Sequence, residues 1–80
     1  MRILRLPEVK DKFGFRSDAS VFACVKSGVL PQSIAISARS KGWPDFEIEQ
    51  ILCAKIAGKS DDDIKQIVQS QLAYRQTLVN

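Results

Sequence analysis

Apolar positions at helical spacing predict a short helix near the start of the chain. Pro7 suits the first position of a helix, where its missing N–H would have no partner. Val9 and Phe13 then form an i, i+4 apolar pair before Gly14. We therefore expect a helix over about 7 to 13.

A second helix is predicted over about 18 to 27, close behind the first. Ser17 is suited to cap its first turn, and Gly28 supplies the left-handed residue that ends it. The apolar stripe consists of Val21, Phe22, Cys24 and Val25. Two short helices joined by a tight, glycine-containing turn are typical of a helix-turn-helix.

The pattern changes from helical to alternating spacing after Leu30. Pro31 interrupts helix formation, and Ile34 and Ile36 alternate with less apolar residues. We expect a hairpin of two short strands, which we call the wing. Its strands are predicted over about 34 to 37 and 40 to 43, with Ala38 and Arg39 at the tip.

Two further helices are predicted in the second half of the chain. Pro44 opens the third, Gly58 ends it, and its apolar face is Ile48, Ile51, Leu52 and Ile56. Ser60 caps the fourth, which is predicted over about 60 to 76 with a stripe of Ile64, Ile67, Val68 and Leu72. Because the connection is short, we expect the two helices to pack on one core.

The length of 80 residues fits one domain, 1–80, with a core over about 3 to 57 and a C-terminal helix. No apolar run approaches the length of a membrane span, so we expect a cytoplasmic chain without a membrane partner.

The net charge is +3 and is unevenly distributed. Residues 1 to 43 carry eight cations and three acids, whereas residues 44 to 80 carry four and six. A basic front half is compatible with a polyanionic partner and with a solvated basic face.

The residues that commonly form catalytic or metal sites are few. The chain has no histidine, and Cys24 and Cys53 lack zinc-site spacing, so we interpret both as core thiols. The run Asp61 to Asp63 is explained by its place at a helix N-terminus rather than by a metal. No phosphate-binding glycine loop is present. We expect no enzyme, no metal and no cofactor.

The aromatic side chains are interpreted as core residues. Trp43 lies between a predicted strand and a predicted helix, where closing the core is a more common role than stacking on a base. The same interpretation is given to Phe13, Phe15, Phe22 and Phe46.

Four segments in unbroken order carry a resemblance to a known family. They are LRLPEVK at 4–10, GFRSDASVFACVKSG at 14–28, LPQSIAISARSKGW at 30–43 and FEIEQI at 46–51. Over about residues 3 to 57 the chain resembles the AlpA family of phage and prophage regulators, relatives of excisionase-type proteins. The resemblance implies a mainly α fold with a small β-hairpin, that is, a winged helix-turn-helix of the MerR/excisionase-like kind with an added C-terminal helix. It also implies binding to a promoter or an attachment site.

The sequence departs from the family pattern in its second helix and in its wing. Asp18 and Ala23 stand where many relatives have cations, and Ala35 stands where a lysine is common. Arg39 keeps its family position, and Lys41 adds a charge nearby.

Nine residues are candidates for DNA contact. A recognition helix reads base edges with residues near its N-terminus, and a basic wing contacts backbone or minor groove. Ser17 is more simply a cap, Asp18 complements the helix dipole, and charges on the wing also protect a sheet edge from other chains. The candidates are Arg16, Ser17, Asp18, Ala19, Ser20, Lys26, Arg39, Ser40 and Lys41.

The function that we expect is sequence-specific binding of double-stranded DNA by a transcriptional regulator of prophage or genomic-island genes. An excisionase-type recombination factor is an alternative, as is a protein-interaction module in which helix four binds through residues such as Tyr74 and Leu78. Self-association, an integrase and RNA polymerase stay open as further partners.

Overall fold

Four α-helices and a small antiparallel sheet make up residues 1–78, the part of the chain that the computed structural model describes. The last two positions of the predicted 1–80 domain lie outside the described residues. The arrangement is the predicted winged helix-turn-helix, with a further helix at its C-terminal end. The elements are β1 Ile3–Leu4, α1 Leu6–Phe13, α2 Asp18–Ser27, β2 Ile34–Ala35, β3 Lys41–Pro44, α3 Asp45–Ile56, α4 Asp61–Arg75 and a 3-10 helix Gln76–Leu78.

Helices α1 and α2 form the helix-turn-helix. The bounds of α2 agree with the prediction, and Gly28 ends it in the left-handed region at φ 89°. Helix α1 begins one residue earlier than predicted because the extended Arg5 is its N-cap, so Pro7 is the second helical residue rather than the first. The backbone N–H of Arg5 donates to the Glu8 carboxylate at 3.1 Å, which closes the first turn and lowers the pKa of Glu8.

The wing is a hairpin of β2 and β3 whose tip is the predicted one. Its end is closed by hydrogen bonds between Ser37 and Ser40, so Ala38 and Arg39 are the two central residues of the turn. Strand β2 is shorter than predicted, since regular pairing stops at Ala35 opposite Lys41.

Strand β1 was not predicted, and it completes the sheet on the other side of β3. The strand order is β1-β3-β2, with Leu4 opposite Trp43. Gly42 permits this close approach, because a Cβ atom there would lie 2.6 Å from the Leu4 carbonyl oxygen and would also collide with the Ile3 side chain. A two-residue strand directly before a helix has too few positions for alternation to be visible in the sequence.

The core draws on all four α-helices and on the sheet. Trp43 is buried as predicted, and its indole N–H donates to the Pro31 carbonyl at 2.6 Å, which joins β3 to the segment before β2. Helix α4 contributes the predicted Ile64 and Val68. The buried apolar set is Leu4, Val9, Val21, Val29, Leu30, Trp43, Ile48, Ile51, Ala54, Ile64 and Val68.

Several side chains assigned to the core from the sequence are exposed. Cys24, Phe13 and Phe15 do pack against the core. The interpretation of Cys53 as a core thiol is wrong, because it lies on the outer face of α3. Phe22, Phe46 and Ile56 are likewise exposed, since each projects from a helix away from the buried stripe that its neighbours form.

Candidate nucleic-acid interface

The N-terminal end of α2 is accessible, as a recognition helix requires. Arg16, Ser17, Asp18 and Ala19 are exposed, and Ser20 is half-buried. The Ser17 hydroxyl accepts from the Ser20 backbone N–H at 3.3 Å and lies 3.1 Å from the Ser20 hydroxyl. Ser17 is therefore the cap of α2, and the hydroxyls of Ser17 and Ser20 are engaged with each other.

Asp18 is part of an ion pair that links the two helices of the motif. Its carboxylate lies 2.8 Å from the Lys10 ammonium group of α1. The pair holds the first turn of α2 against α1 and offsets the negative charge that Asp18 would otherwise present beside a phosphate backbone.

The wing residues form a second group along the turn and the start of β3. Arg39 and Lys41 are exposed, and Ser40 is half-buried and closes the turn through backbone hydrogen bonds with Ser37. Two cationic side chains thus stand on a ribbon whose backbone is fixed by pairing with β3.

The candidate cations differ from most other cations of residues 1–43 in having no ion pair. Arg2, Lys10 and Lys12 are paired with Glu8, Asp18 and Glu49. The four candidate cations have no ion pair within residues 1–78; they are Arg16, Lys26, Arg39 and Lys41. Their charge is thus available to an external anion.

Lys26 is not close to the other α2 candidates. It lies in the last turn of α2, eight residues after Asp18, which corresponds to about 12 Å along the helix axis. The structure therefore places candidate residues at both ends of α2 and at the wing.

The outer face of α2 carries two residues that the list of DNA-contact candidates omitted, Phe22 and Ala23, beside the candidates Ala19 and Lys26. Ala19, Phe22, Ala23 and Lys26 are all exposed and follow i, i+3, i+4, i+7 spacing, so they share one face of the helix. Phe22 lies about 100° around the helix from Val21, and only the structure shows which of these two neighbours is buried.

A set of buried polar contacts joins α4 to α3, and the sequence analysis did not predict it. Glu47 is completely buried, and Arg75 donates to its two carboxylate oxygens at 2.6 and 2.9 Å and to the Gln32 carbonyl at 2.9 Å. The buried Gln71 side-chain amide donates to the Glu47 carbonyl at 3.0 Å and to the Gln50 side chain at 2.8 Å. The position of Glu47 in the first turn of α3 gives no sign in the sequence that its side chain is buried.

Beside these contacts lies an open cavity of about 520 Å³ between α3 and α4. Phe46 and Tyr74 meet edge to face at its rim, with their ring centroids 6.4 Å apart. Among the described residues, the buried Gln71 Oε1 atom at this cavity has no hydrogen-bond partner.

Two further features of residues 1–78 bear on other classes of site. None of the helices there combines the length and the apolar character needed to cross a membrane. The same residues contain no cluster of three or more histidine, cysteine or acidic side chains suited to a metal ion.

Comparison with known proteins identifies one family. The model of the family described as prophage CP4-57 regulatory protein (AlpA) matches residues 2–56, more than half of the chain. No curated protein and no solved structure gives a significant match. The matched region contains the helix-turn-helix, the wing and α3, and it ends before α4.

Proposed function

We propose that this chain, which belongs to the AlpA family of prophage regulatory proteins, is a DNA-binding transcriptional regulator of prophage or genomic-island genes. The observation that carries the proposal is the distribution of unpaired charge. Within residues 1–78, four of the eight cations without an ion pair lie at the ends of α2 and on the wing, the two elements with which a winged helix-turn-helix contacts DNA. The other four are Arg5, Lys55, Lys59 and Lys65.

Helix α2 is the element proposed to enter the major groove. Its positive N-terminal end is exposed, and Arg16 immediately precedes it, so both the helix dipole and a guanidinium group would favour the approach to phosphates or to a guanine edge. Ser17 and Ser20 hold the first turn in shape through their mutual contact. Helix α1 would lie across the backbone and support α2 through the pair of Lys10 with Asp18.

The wing is proposed to bind the neighbouring backbone or minor groove. Arg39 at the tip would gain from the concentrated negative potential of a narrow minor groove, and Lys41 on β3 would add a phosphate contact. Ser40 holds the turn that presents both side chains.

Regulation in this proposal works by occupancy of a promoter, with recruitment or obstruction of RNA polymerase. Four phosphate contacts per copy correspond to a slope of about −3.6 in log K against log salt concentration. Since such binding by one copy is weak at physiological salt, stable occupancy requires repeated sites, self-association or a partner protein.

The test is the salt dependence of DNA binding by the wing variants. The double variant Arg39→Ala with Lys41→Ala should bind all duplexes more weakly, and its slope should fall from about −3.6 to about −1.8. Fluorescence anisotropy at several salt concentrations measures both effects, and circular dichroism checks that the fold is retained.

A matched control removes two exposed cations elsewhere. Lys55→Ala with Lys59→Ala changes the net charge equally, at the end of α3 and in the following loop, and should leave the slope close to that of the wild type. If both double variants lower the slope equally, the wing has no special role. If the wild-type protein shows no salt-dependent binding to any duplex, the DNA-binding proposal is wrong.

A recombination directionality factor is the alternative within the same DNA-binding class. Such a protein would bend an attachment site for an integrase with the same surface, so binding data alone do not separate the two functions. A promoter-reporter assay and an excision assay in the same host separate the two functions. A transcriptional regulator changes reporter expression even when the attachment site has been removed, whereas a recombination factor does not.

A protein-interaction role has its own supporting observation. Tyr74 and Leu78 are 54% and 57% exposed, and Tyr74 forms an apolar rim with Phe46 beside an open cavity. Tyr74→Ser and Leu78→Ser test this role. Deletion of residues 73–80 would not test it, because the deletion also removes Arg75 and leaves the buried Glu47 carboxylate without its partner. Loss of regulation in the serine variants with unchanged DNA affinity would support a partner at α4.

A further inference from the structure

The outer face of α2 is apolar at positions where a surface helix ordinarily carries polar groups. Phe22 is 54% exposed and lies between the exposed Ala19 and Ala23, while Lys26 follows one turn later on the same face. The opposite face of α2 supplies the core with Val21. Phe22 is not among the side chains that pack against the core of residues 1–78.

The surroundings of this face favour a polyanion over an apolar protein partner. Arg16 precedes the helix and Lys26 lies in its last turn, and neither has an ion pair in the part of the chain described. The ten residues of α2 span about 15 Å, and the major groove is about 12 Å wide. With the apolar centre of the helix in the groove, the two cations would thus lie near opposite phosphate walls.

Few polar groups on α2 are free to read bases by hydrogen bonding. Its first eight residues contain no arginine, lysine, asparagine or glutamine. Asp18 is paired with Lys10, and the Ser20 hydroxyl is within hydrogen-bonding distance of Ser17. Direct readout by this helix must therefore rely largely on apolar contact.

We infer that Phe22, flanked by Ala19 and Ala23, is a specificity-determining residue that contacts the 5-methyl groups of thymines in the major groove. This inference rests on the proposed DNA-binding function and adds the chemical feature that is read. The thymine methyl is the apolar group that bases display in the major groove, and alanine and phenylalanine side chains are suited to contact it. Helical side chains lean toward the N-terminus of their helix, so the Phe22 ring covers the surface between its own position and Ala19, near the centre of α2.

The experiment uses a duplex enriched from a random library by the full wild-type protein. The same duplex is then made with deoxyuridine in place of thymidine, which removes the methyl groups and keeps the base-pairing edges. We expect the Kd measured by fluorescence anisotropy to rise about fourfold for each contacted methyl that is removed, as for the loss of one buried methylene-sized group. The Phe22→Ala variant should bind the thymidine duplex more weakly and should distinguish the two duplexes much less than the wild type, because the shorter side chain reaches less far into the groove.

A matched variant separates contact from general effects of deoxyuridine on the duplex. Phe46→Ala removes an exposed phenylalanine from α3 and should retain the full preference for thymidine. The methyl inference would be overturned, with DNA binding intact, if the wild type bound both duplexes with equal affinity. It would also be overturned if the enriched duplex contained no thymine in the segment that the protein covers. Full discrimination by Phe22→Ala would also overturn it. Failure of the wild type to bind any duplex in a salt-dependent way would remove both proposals.

Discussion

Gly42 shows how a single missing Cβ atom can determine the architecture of this sheet. Any side chain there would meet the Ile3 side chain and the Leu4 carbonyl, both of which belong to β1. We expect Gly42→Ala to lower the free energy of unfolding by about 1 to 3 kcal/mol, because the core must shift to admit the methyl group. Urea denaturation followed by circular dichroism measures this change.

The second-site variant Ile3→Ala tests the proposed cause. It removes one of the two contacts and leaves the Leu4 carbonyl in place 2.6 Å from the new Cβ. In a protein that already carries Ile3→Ala, the further change Gly42→Ala should therefore lower the free energy of unfolding by less than it does in the wild type, but by more than zero. An unchanged free energy of unfolding in Gly42→Ala alone would show that β1 can move away without cost.

Asp18 is the residue whose removal is expected to strengthen DNA binding. Asp18→Asn removes an acid from the first turn of the proposed recognition helix and frees the Lys10 ammonium group. We expect tighter binding to every duplex and a salt slope steeper by about 0.9, equivalent to one more phosphate contact. Stability should fall by less than about 1 kcal/mol, because the pair is partly exposed.

The control for Asp18 is an acid with the same charge and a similar place in another helix. Asp62→Asn changes the first turn of α4, outside the proposed interface, and should leave the slope unchanged. An equal increase in affinity for both variants would mean that only the net charge of the protein matters.

At the scale of elements, the contact of α4 with α3 includes a buried ion pair in addition to apolar packing. Glu47 has no exposed surface, and Arg75 covers its carboxylate with two hydrogen bonds. Arg75→Ala should lower the free energy of unfolding by about 3 to 5 kcal/mol, because it leaves an unpaired carboxylate in the core. Thermal and urea unfolding measure the loss.

Replacing both partners tests whether the cost comes from the unpaired charge. The double variant Glu47→Leu with Arg75→Met should be markedly more stable than Arg75→Ala, since no buried charge is then left without a partner. If the double variant is as unstable as the single one, the unpaired carboxylate is not the cause of the lost stability.

The elements also show which kinds of prediction the sequence supports. The bounds of α2 were predicted correctly because a capping serine and a terminal glycine mark both ends. The exposure of Phe22, Phe46 and Ile56 was not, because composition and spacing do not say which of two apolar stripes on a helix has a partner. That choice depends on the neighbours that the fold supplies.

For the whole molecule, the extent of the family match and the extent of the core differ. The family model ends at residue 56, whereas Ile64 and Val68 of α4 are buried in the same core as Ile48 and Ile51 of α3. A chain truncated after Gly58 should therefore lose cooperative unfolding, since burial of each lost side chain contributes about 1.5 to 3 kcal/mol. Calorimetry of the truncated and full-length chains decides this point, and a cooperative transition at an unchanged temperature would contradict it.

The amino-acid sequence by itself determined the order of the helices, the wing and its tip, and the membership of the chain in its family. These features depend on local signals, namely caps, glycines, prolines and the spacing of apolar residues, which act within a few positions of the chain. Tertiary structure decided the rest. It added β1, buried Glu47 against Arg75, paired Asp18 with Lys10, and left Phe22 exposed on α2. Each of these outcomes depends on which other part of the chain packs against a given side of a helix or strand. Local sequence patterns do not contain that information, because the packing partners belong to other elements.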